Sequence, residues 1–280
     1  MTEKHYENFP VASVMLPRRL RKPVGLIYSF ARAADDFADE GDRTDEERIL
    51  LLDSFRHELA RLSGGQEPQS ILFRELSPVM EQYRLPVVLF TDLLDAFTQD
   101  VCKKRYADFD ELLDYCSKSA NPVGRLLLHL YGINSEKNRQ YSDNICSSLQ
   151  LINFLQDIEI DFEMGRIYLP EDEMMRYGIA GSHIESKKAD ASWAIFMKFQ
   201  AERARRMMLD GAPLAGEMKG RIALEMKLII LGGLRILEKL DKSGGNIFGK
   251  RPKLGRFDWA LMLVRALCMR GAPHFGLDRQ

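Results

Sequence analysis

Apolar residues recur along this chain at steps of three and four, within long runs rich in Ala, Leu, Glu, Arg and Met. The strict alternation of a half-buried strand is scarce, so the pattern predicts an all-α chain. Helices are expected over 20–40, 46–62, 70–83, 87–101, 108–119, 122–132, 135–162, 190–211, 216–241 and 257–270. The acidic run Asp42-Arg43-Thr44-Asp45-Glu46-Glu47 reads as a helix start, with Thr44 or Asp45 as the cap. Ser63-Gly64-Gly65, Asn121-Pro122, Leu169-Pro170 and Ser243-Gly244-Gly245 punctuate the pattern. None of these breaks is a long linker and no internal repeat is visible, so residues 1–280 are expected to form a single domain.

Composition narrows the class. Of 280 residues, 45% are hydrophobic and 29% charged, the profile of a globular protein with a sizeable core. A formal net charge of −1 leaves no basic excess to neutralise phosphates, which argues against nucleic-acid binding. Cys102, Cys116, Cys146 and Cys268 lie far apart in no metal-ligand spacing, as reduced thiols in the cytoplasm would. No apolar segment follows the charged N-terminal residues, so no signal peptide is expected, and the longest apolar stretch, Leu228 to Leu234, is too short to span a bilayer. Near the other end, Lys250-Arg251-Pro252-Lys253-Leu254-Gly255-Arg256 precedes an apolar helix, Phe257 to Met269, that carries Arg265 and ends at Arg270. Basic residues beside apolar ones suggest peripheral membrane contact; a plain terminal helix with solvated arginines is the other reading.

Two acidic clusters carry the candidate chemistry. At helical pitch Tyr28, Arg32, Asp35 and Asp39 share one stripe with Asp36 at its edge, so Asp35 and Asp39 point the same way one turn apart. Like charges at that spacing cost an isolated helix roughly 0.2–0.5 kcal/mol, a penalty that a cation between them converts into binding. Such a stripe is either a solvated face or a cation site; the Ala, Phe, Ile and Tyr around it make the face less than broadly polar. The second cluster, Gln150, Asn153, Asp157 and Asp161, falls at steps of three, four and four on an otherwise apolar helix. Buried aspartates without compensation are expensive, and the stripe contains no basic residue of its own. Magnesium suits these hard oxygen donors, because it takes one or two carboxylates and completes its shell with substrate phosphate and water. Two such stripes imply a strongly anionic substrate. No EF-hand loop, Gly-rich phosphate loop or GxGxxG element is present, which argues against nucleotide-hydrolysing and dinucleotide-dependent enzymes.

These residues resemble the head-to-head prenyl synthases: squalene, dehydrosqualene and phytoene synthases. Asp35-Asp36-Phe37-Ala38-Asp39 is similar to the family's first aspartate motif. Asn153 through Asp161, followed by Gly165-Arg166-Ile167-Tyr168-Leu169-Pro170, is similar to the second motif and its exit. Arg105-Tyr106 and Tyr115-Cys116 before Gly124 also align, so the resemblance spans nearly the whole chain. Asn8-Phe9-Pro10-Val11-Ala12-Ser13 and Ser119-Ala120-Asn121-Pro122-Val123-Gly124-Arg125-Leu126 look most like the bacterial hydroxysqualene synthase branch. The resemblance implies a single-domain helical bundle with a central apolar cavity and more than one Mg²⁺, with no NADPH. The reaction it implies converts presqualene diphosphate and water to hydroxysqualene and diphosphate, in squalene and hopanoid synthesis. It also implies a sister synthase that supplies the substrate and a flavin-dependent reductase that consumes the product. A phytoene, dehydrosqualene or squalene synthase is the alternative, and a non-catalytic helical partner of a related synthase is the reading from another class. Gln156 stands where relatives carry Arg, Glu159 where Gly is common, Ser117 at a frequently aromatic position, and Gly245 where a tyrosine is usual.

By that resemblance Asp35, Asp39, Asp157 and Asp161 would hold the metal ions, with Asn153 among the metal donors and Gln150 beside them on the phosphate. Tyr28 and Asp36 would border the diphosphate. Arg32 would touch phosphate or pair with Asp36. Tyr115 would guide a proton or water, or serve as an ordinary half-buried tyrosine. Among the polar group Ser117, Lys118, Ser119 and Asn121, Asn121 is the candidate for positioning the water. Phe9, Ile27, Val123, Leu126, Leu151 and Phe154 would line the prenyl tunnel or pack the core.

Overall fold

The computed structural model describes residues 16–268, which form helices and connecting turns with no strand among them. Several helices start where a side chain accepts a hydrogen bond from an otherwise unpaired backbone N–H. Ser70, Asp108, Ser135 and Asp190 cap α3 (Ile71–Tyr83), α5 (Phe109–Ser119), α7 (Glu136–Glu163) and α10 (Ala191–Gly211) in this way. Of the two caps expected for α2 (Asp45–Ser63), the structure selects Thr44, with Glu47 closing a reciprocal capping box. The remaining long helices are α1 (Arg18–Asp39), α4 (Val87–Cys102), α6 (Asn121–Tyr131), α12 (Gly220–Lys242) and α13 (Arg256–Cys268).

Three short helices were not expected: α8 (Glu171–Arg176), α9 (Gly181–Glu185) and α11 (Leu214–Glu217). Four to six residues are too few for a helical period to show in a sequence. The helix expected over 216–241 is divided for a different reason. The turn at Leu214–Glu217 ends before Gly220, whose φ of +59° breaks the register, and α12 begins there. The expected end of the last helix, Met269 and Arg270, and the candidate Phe9 with the stretch Asn8 to Ser13, lie outside the described residues.

Helices α1, α2, α3, α4 and α6 share one apolar cluster centred on Phe30, which meets Phe73 and Phe90 edge-on at ring distances of 5.8 and 5.0 Å. A second cluster gathers α5, α7, α10, α12 and α13 around Trp193 and Phe196. Ile27 and Leu126 are buried in the first cluster, with Val123 packed against it, while Leu151 and Phe154 belong to the second. Four of these five candidates are buried and Val123 is partly so, a placement common to both of their readings. The four cysteines are free, as expected.

Helix α7 is the axis of the second cluster and is gripped from three sides at glycines. A Cβ on Gly211 of α10 would meet Ile145 Cγ1 and the Tyr141 carbonyl at 2.6 Å, and one on Gly124 of α6 would strike Ser142 and Cys146 of α7. On the third side, Gly233 of α12 would bring a Cβ within 3.3 Å of Ile152 and Leu149. These close approaches bury Leu151, Ile152, Phe154, Leu155 and Ile158. A face left partly open carries Gln150, Asn153, Asp157 and Asp161.

A candidate active site between two acid-bearing helices

Asp35 and Asp39 stand on the last turns of α1, and Asp157 and Asp161 on the last turns of α7. The two helices share no extensive packed face among the described residues; α1 packs on α2, α3 and α4, and α7 on α10 and α6. What spans from one to the other is Arg166, two residues beyond the α7 cap, whose guanidinium grips both oxygens of Asp39. Arg166 is buried, and so is Asp100 on α4. Tyr115 and Tyr168 donate their hydroxyls to the two Asp100 oxygens at 2.8 and 2.7 Å.

The electrostatics tie these groups into one field. Burial pushes the Asp161 carboxyl up to about 8, and Asp157, Asp100 and Asp39 add like charge while Arg166 opposes the rise. Asp35 is raised to about 6, first by burial and then by Asp39, with Arg32 opposing and Asp100 and Asp36 adding to it. Asp100 also rises to about 6 through burial, although both tyrosine hydroxyls stabilise its ionised form. Carboxylates from α1, α4 and α7 thus influence one another's ionisation, so the two acidic stripes face a common region.

The second stripe has basic partners after all, but they come from elsewhere in the chain. Arg251, in the loop between α12 and α13, makes a two-pronged ion pair with Asp157. Arg166 serves Asp39, and Arg32 holds Asp35 at 2.9 Å, Asp36 at 2.6 Å and Glu40 at 2.9 Å. Arg32 thus pairs with Asp36, as one of its two readings expected. Asp161 is the member of the quartet with no arginine on its side chain among the described contacts, and its carboxyl is raised further than that of Asp35.

The other expected site residues fall into two groups. Tyr28 is half-buried on the α1 stripe; Gln150 is half-buried and Asn153 exposed on the α7 stripe, beside the carboxylates. Tyr115 is fully within the protein, packed against Tyr106, Tyr168 and Phe154, and reaches the acidic field through Asp100. Burial and the neighbouring Asp100 charge hold its hydroxyl protonated far above the ordinary range. Asn121 is buried, and its Oδ1 accepts a hydrogen bond from Ser147, one turn before Gln150 on α7. That bond joins α6 to α7.

Sequence reasoning passed over Asp100, Arg166, Tyr168 and Arg251 as site residues. Asp100 had a signal, a lone acid on the apolar stripe of Leu89, Phe90, Leu93, Leu94, Ala96 and Val101. Arg166 and Tyr168 lay within the motif's exit, whereas Arg251 is 94 residues from Asp157 and had none. Two departures from the family pattern anchor the Arg251 loop. Buried Gln156 donates to the Pro252 carbonyl at 2.5 Å, and Glu159 accepts from the Gly249 N–H while pairing with Lys187. Gly245 has a φ of +74°, and a Cβ there would collide with Met197, so no side chain could stand at this position without moving α10.

The donor set fits magnesium. Among the described residues no three His, Cys, Asp or Glu side chains converge closely enough to hold an ion alone. Magnesium asks for less, since one or two carboxylates suffice when phosphate oxygens and water complete its shell. A cation beside Asp161 would replace the proton that burial and like charge now retain there.

The raised carboxyls set a pH dependence. Asp35, Asp100 and Asp161 ordinarily titrate at 3.8, so between that value and their raised pKa the folded chain holds protons that the unfolded chain has released. Stability contributed by these groups therefore falls as pH rises, up to about 6 for Asp35 and Asp100 and on to about 8 for Asp161. Thermal melts in metal-free buffer should decline between the last two values, and Asp161→Asn should abolish that decline. An equally steep fall in the variant would contradict the assignment.

The squalene/phytoene synthase family pattern matches residues 2–258. A hydroxysqualene synthase from Rhodopseudomonas palustris is 35% identical over 237 residues, which cover 84% of this chain and 80% of that protein. A phytoene synthase from Mycobacterium tuberculosis is 31% identical over 208 residues, covering 73% and 67% respectively. Among solved structures, squalene synthase HpnC from Alicyclobacillus acidocaldarius superposes with a TM-score of 0.81 at 34% identity, covering 87% of this chain and 91% of that one.

Proposed function

Because this chain belongs to the squalene/phytoene synthase family, whose members process prenyl diphosphates, we propose that it is a hydroxysqualene synthase. In this reading presqualene diphosphate and water become hydroxysqualene and diphosphate. The observation that carries it is the shared field of the α1 and α7 carboxylates, in which burial and like charge on Asp161 outweigh the opposing charge of Arg166. Its product assignment follows the hydroxysqualene synthase relative.

Asp35, Asp39, Asp157, Asp161 and Asn153 would hold magnesium, which supplies charge neutralisation to the departing diphosphate. The chain's own residues do the rest. Arg32, Arg166 and Arg251, each now resting on an aspartate, are positioned to exchange that carboxylate for a phosphate oxygen. Tyr28 and Gln150 flank the same faces. The carbon–oxygen bond breaks with its electron pair leaving on diphosphate; a carbon–carbon bond of the substrate's cyclopropane ring then breaks to turn the carbinyl cation into an allylic one, and a water oxygen bonds to that cation and releases a proton. Tyr115, whose hydroxyl already points its hydrogen at Asp100, can pass that proton to the carboxylate. A sister synthase to supply presqualene diphosphate and a flavin-dependent reductase to consume the alcohol complete the route.

The discriminating experiment incubates the protein and Mg²⁺ with presqualene diphosphate or farnesyl diphosphate, without NADPH, and identifies the extracted lipid. Hydroxysqualene from presqualene diphosphate alone is expected. Phytoene-like or presqualene products from the linear substrate would assign the chain to the condensing branch, which the mycobacterial relative represents. Failure to bind a prenyl diphosphate in the presence of Mg²⁺ would make it a helical partner instead.

A further inference from the structure

Helix α13 is built inside out. Its inward positions Asp258, Met262 and Ala266 are buried, and the charged one among them is deeply engaged. Asp258 accepts from the Arg235 side chain at 2.7 Å, from the Gly255 N–H at 2.7 Å and from Lys239, and Arg265 reaches Glu238 at 3.0 Å. Ion pairs therefore pin this helix to α12. Beyond Arg256, the exposed face carries only apolar or thiol side chains: Phe257, Ala260, Leu261, Leu263, Val264, Leu267 and Cys268. Phe257 is 89% exposed, Val264 59% and Leu267 65%, so this is no ordinary amphipathic helix with its apolar stripe turned to the core.

The surroundings of that face are basic. Five basic residues and one acid lie between Lys250 and Cys268, and the acid is the buried Asp258, on a chain whose formal net charge is −1. Next to the start of α13 lies a cleft of about 730 Å³ whose charged lining is Lys239, Lys242, Lys250, Arg251 and Lys253, with no acid. Lys239 and Arg251 pair with Asp258 and Asp157, and the side chains of Lys242 and Lys250 are exposed. No helix among the described residues is long and apolar enough to cross a membrane.

We infer that α13 and the adjoining basic cleft form a docking surface for an anionic lipid bilayer, the helix lying in the plane of the interface with its apolar face among the acyl chains. An apolar face flanked by cations matches both layers of such a surface, headgroup phosphate and hydrocarbon. A second copy of this chain fits less well, because a twofold contact through α13 would bring two basic clefts together. The loop that would meet the headgroups is also the one that presents Arg251 to Asp157 and is tied to α7 through Gln156 and Glu159. Docking would thus place the acid-bearing end of α7 close to the bilayer, the phase in which a lipid product dissolves.

The test is flotation of the full chain with vesicles of phosphatidylcholine alone and of equimolar phosphatidylglycerol and phosphatidylcholine. The chain should float with the anionic vesicles and lose that binding as salt rises. Val264→Glu with Leu267→Glu alters only exposed positions, so the variant should fold and still melt cooperatively while its partitioning falls on the order of tenfold or more. Lys242→Glu with Lys250→Glu should do the same. Wild-type protein remaining with the unbound fraction on both vesicles would overturn the inference. So would glutamate variants that float like wild type, or a dimer that Val264→Glu with Leu267→Glu splits without changing flotation.

Discussion

Asp161→Asn is expected to lower turnover by roughly 10²- to 10³-fold while leaving the fold at least as stable as before. The two effects go in opposite directions for one physical reason. Burial and the charges of Asp157, Asp100 and Asp39 make an ionised Asp161 costly in the metal-free chain, which is why it retains its proton to about 8. An amide removes the cost but cannot supply the negative charge that a divalent cation needs, so the diphosphate loses part of its counter-charge when its bond to carbon breaks. The measurement pairs single-turnover kinetics on presqualene diphosphate with a metal-free thermal melt at pH 8. A variant that melts normally and turns over within a few-fold of wild type would remove Asp161 from the metal-binding set. A variant that fails to fold would instead point to a structural role. Asp36→Asn makes a useful contrast, because Asp36 stands at the edge of its stripe, paired to Arg32.

Arg166→Ala should cost about 3 kcal/mol of folding stability, near the lower end of what breaking a buried ion pair costs. Arg166 is buried against Asp39, which retains partial access to water, and its charge also opposes the raised pKa values of Asp161 and Asp100. Without it, three carboxylates from three helices face one another with no cation between them. The loss should grow from pH 5 to pH 8, as Asp161 is asked to ionise, and should shrink when Asp39→Asn is combined with it in a double-mutant cycle. Urea titration with an unchanged slope reads the effect. A cost below about 1 kcal/mol would mean that solvent, not Arg166, balances the site.

Much of the architecture was legible because helices write their period into the chain. α7 was expected over 135–162 and spans Glu136–Glu163, and Gln150, Asn153, Asp157 and Asp161 do share a partly open face. What misled was locality. The α7 stripe contains no basic residue, yet Asp157 and Asp39 are both paired, through Arg251 and Arg166, by segments that helical spacing does not connect to them. Asn121 sits in a family-like stretch, and the bond its oxygen accepts from Ser147 comes from a helix that local spacing does not connect to it.

By itself, then, the order of residues determined which helices form, which face of each would be polar, and that two of those faces carry oxygen donors for a cation. These are short-range consequences of backbone geometry, readable within a few turns. Only the tertiary structure decided that the two acidic faces meet, which arginine balances which aspartate, that Asp100 is buried beneath Tyr115 and Tyr168, and that α13 turns its apolar side outward. Each of those depends on charges and side chains brought together from distant parts of the chain, where burial and Coulomb interaction set the energy and sequence separation has no bearing on it.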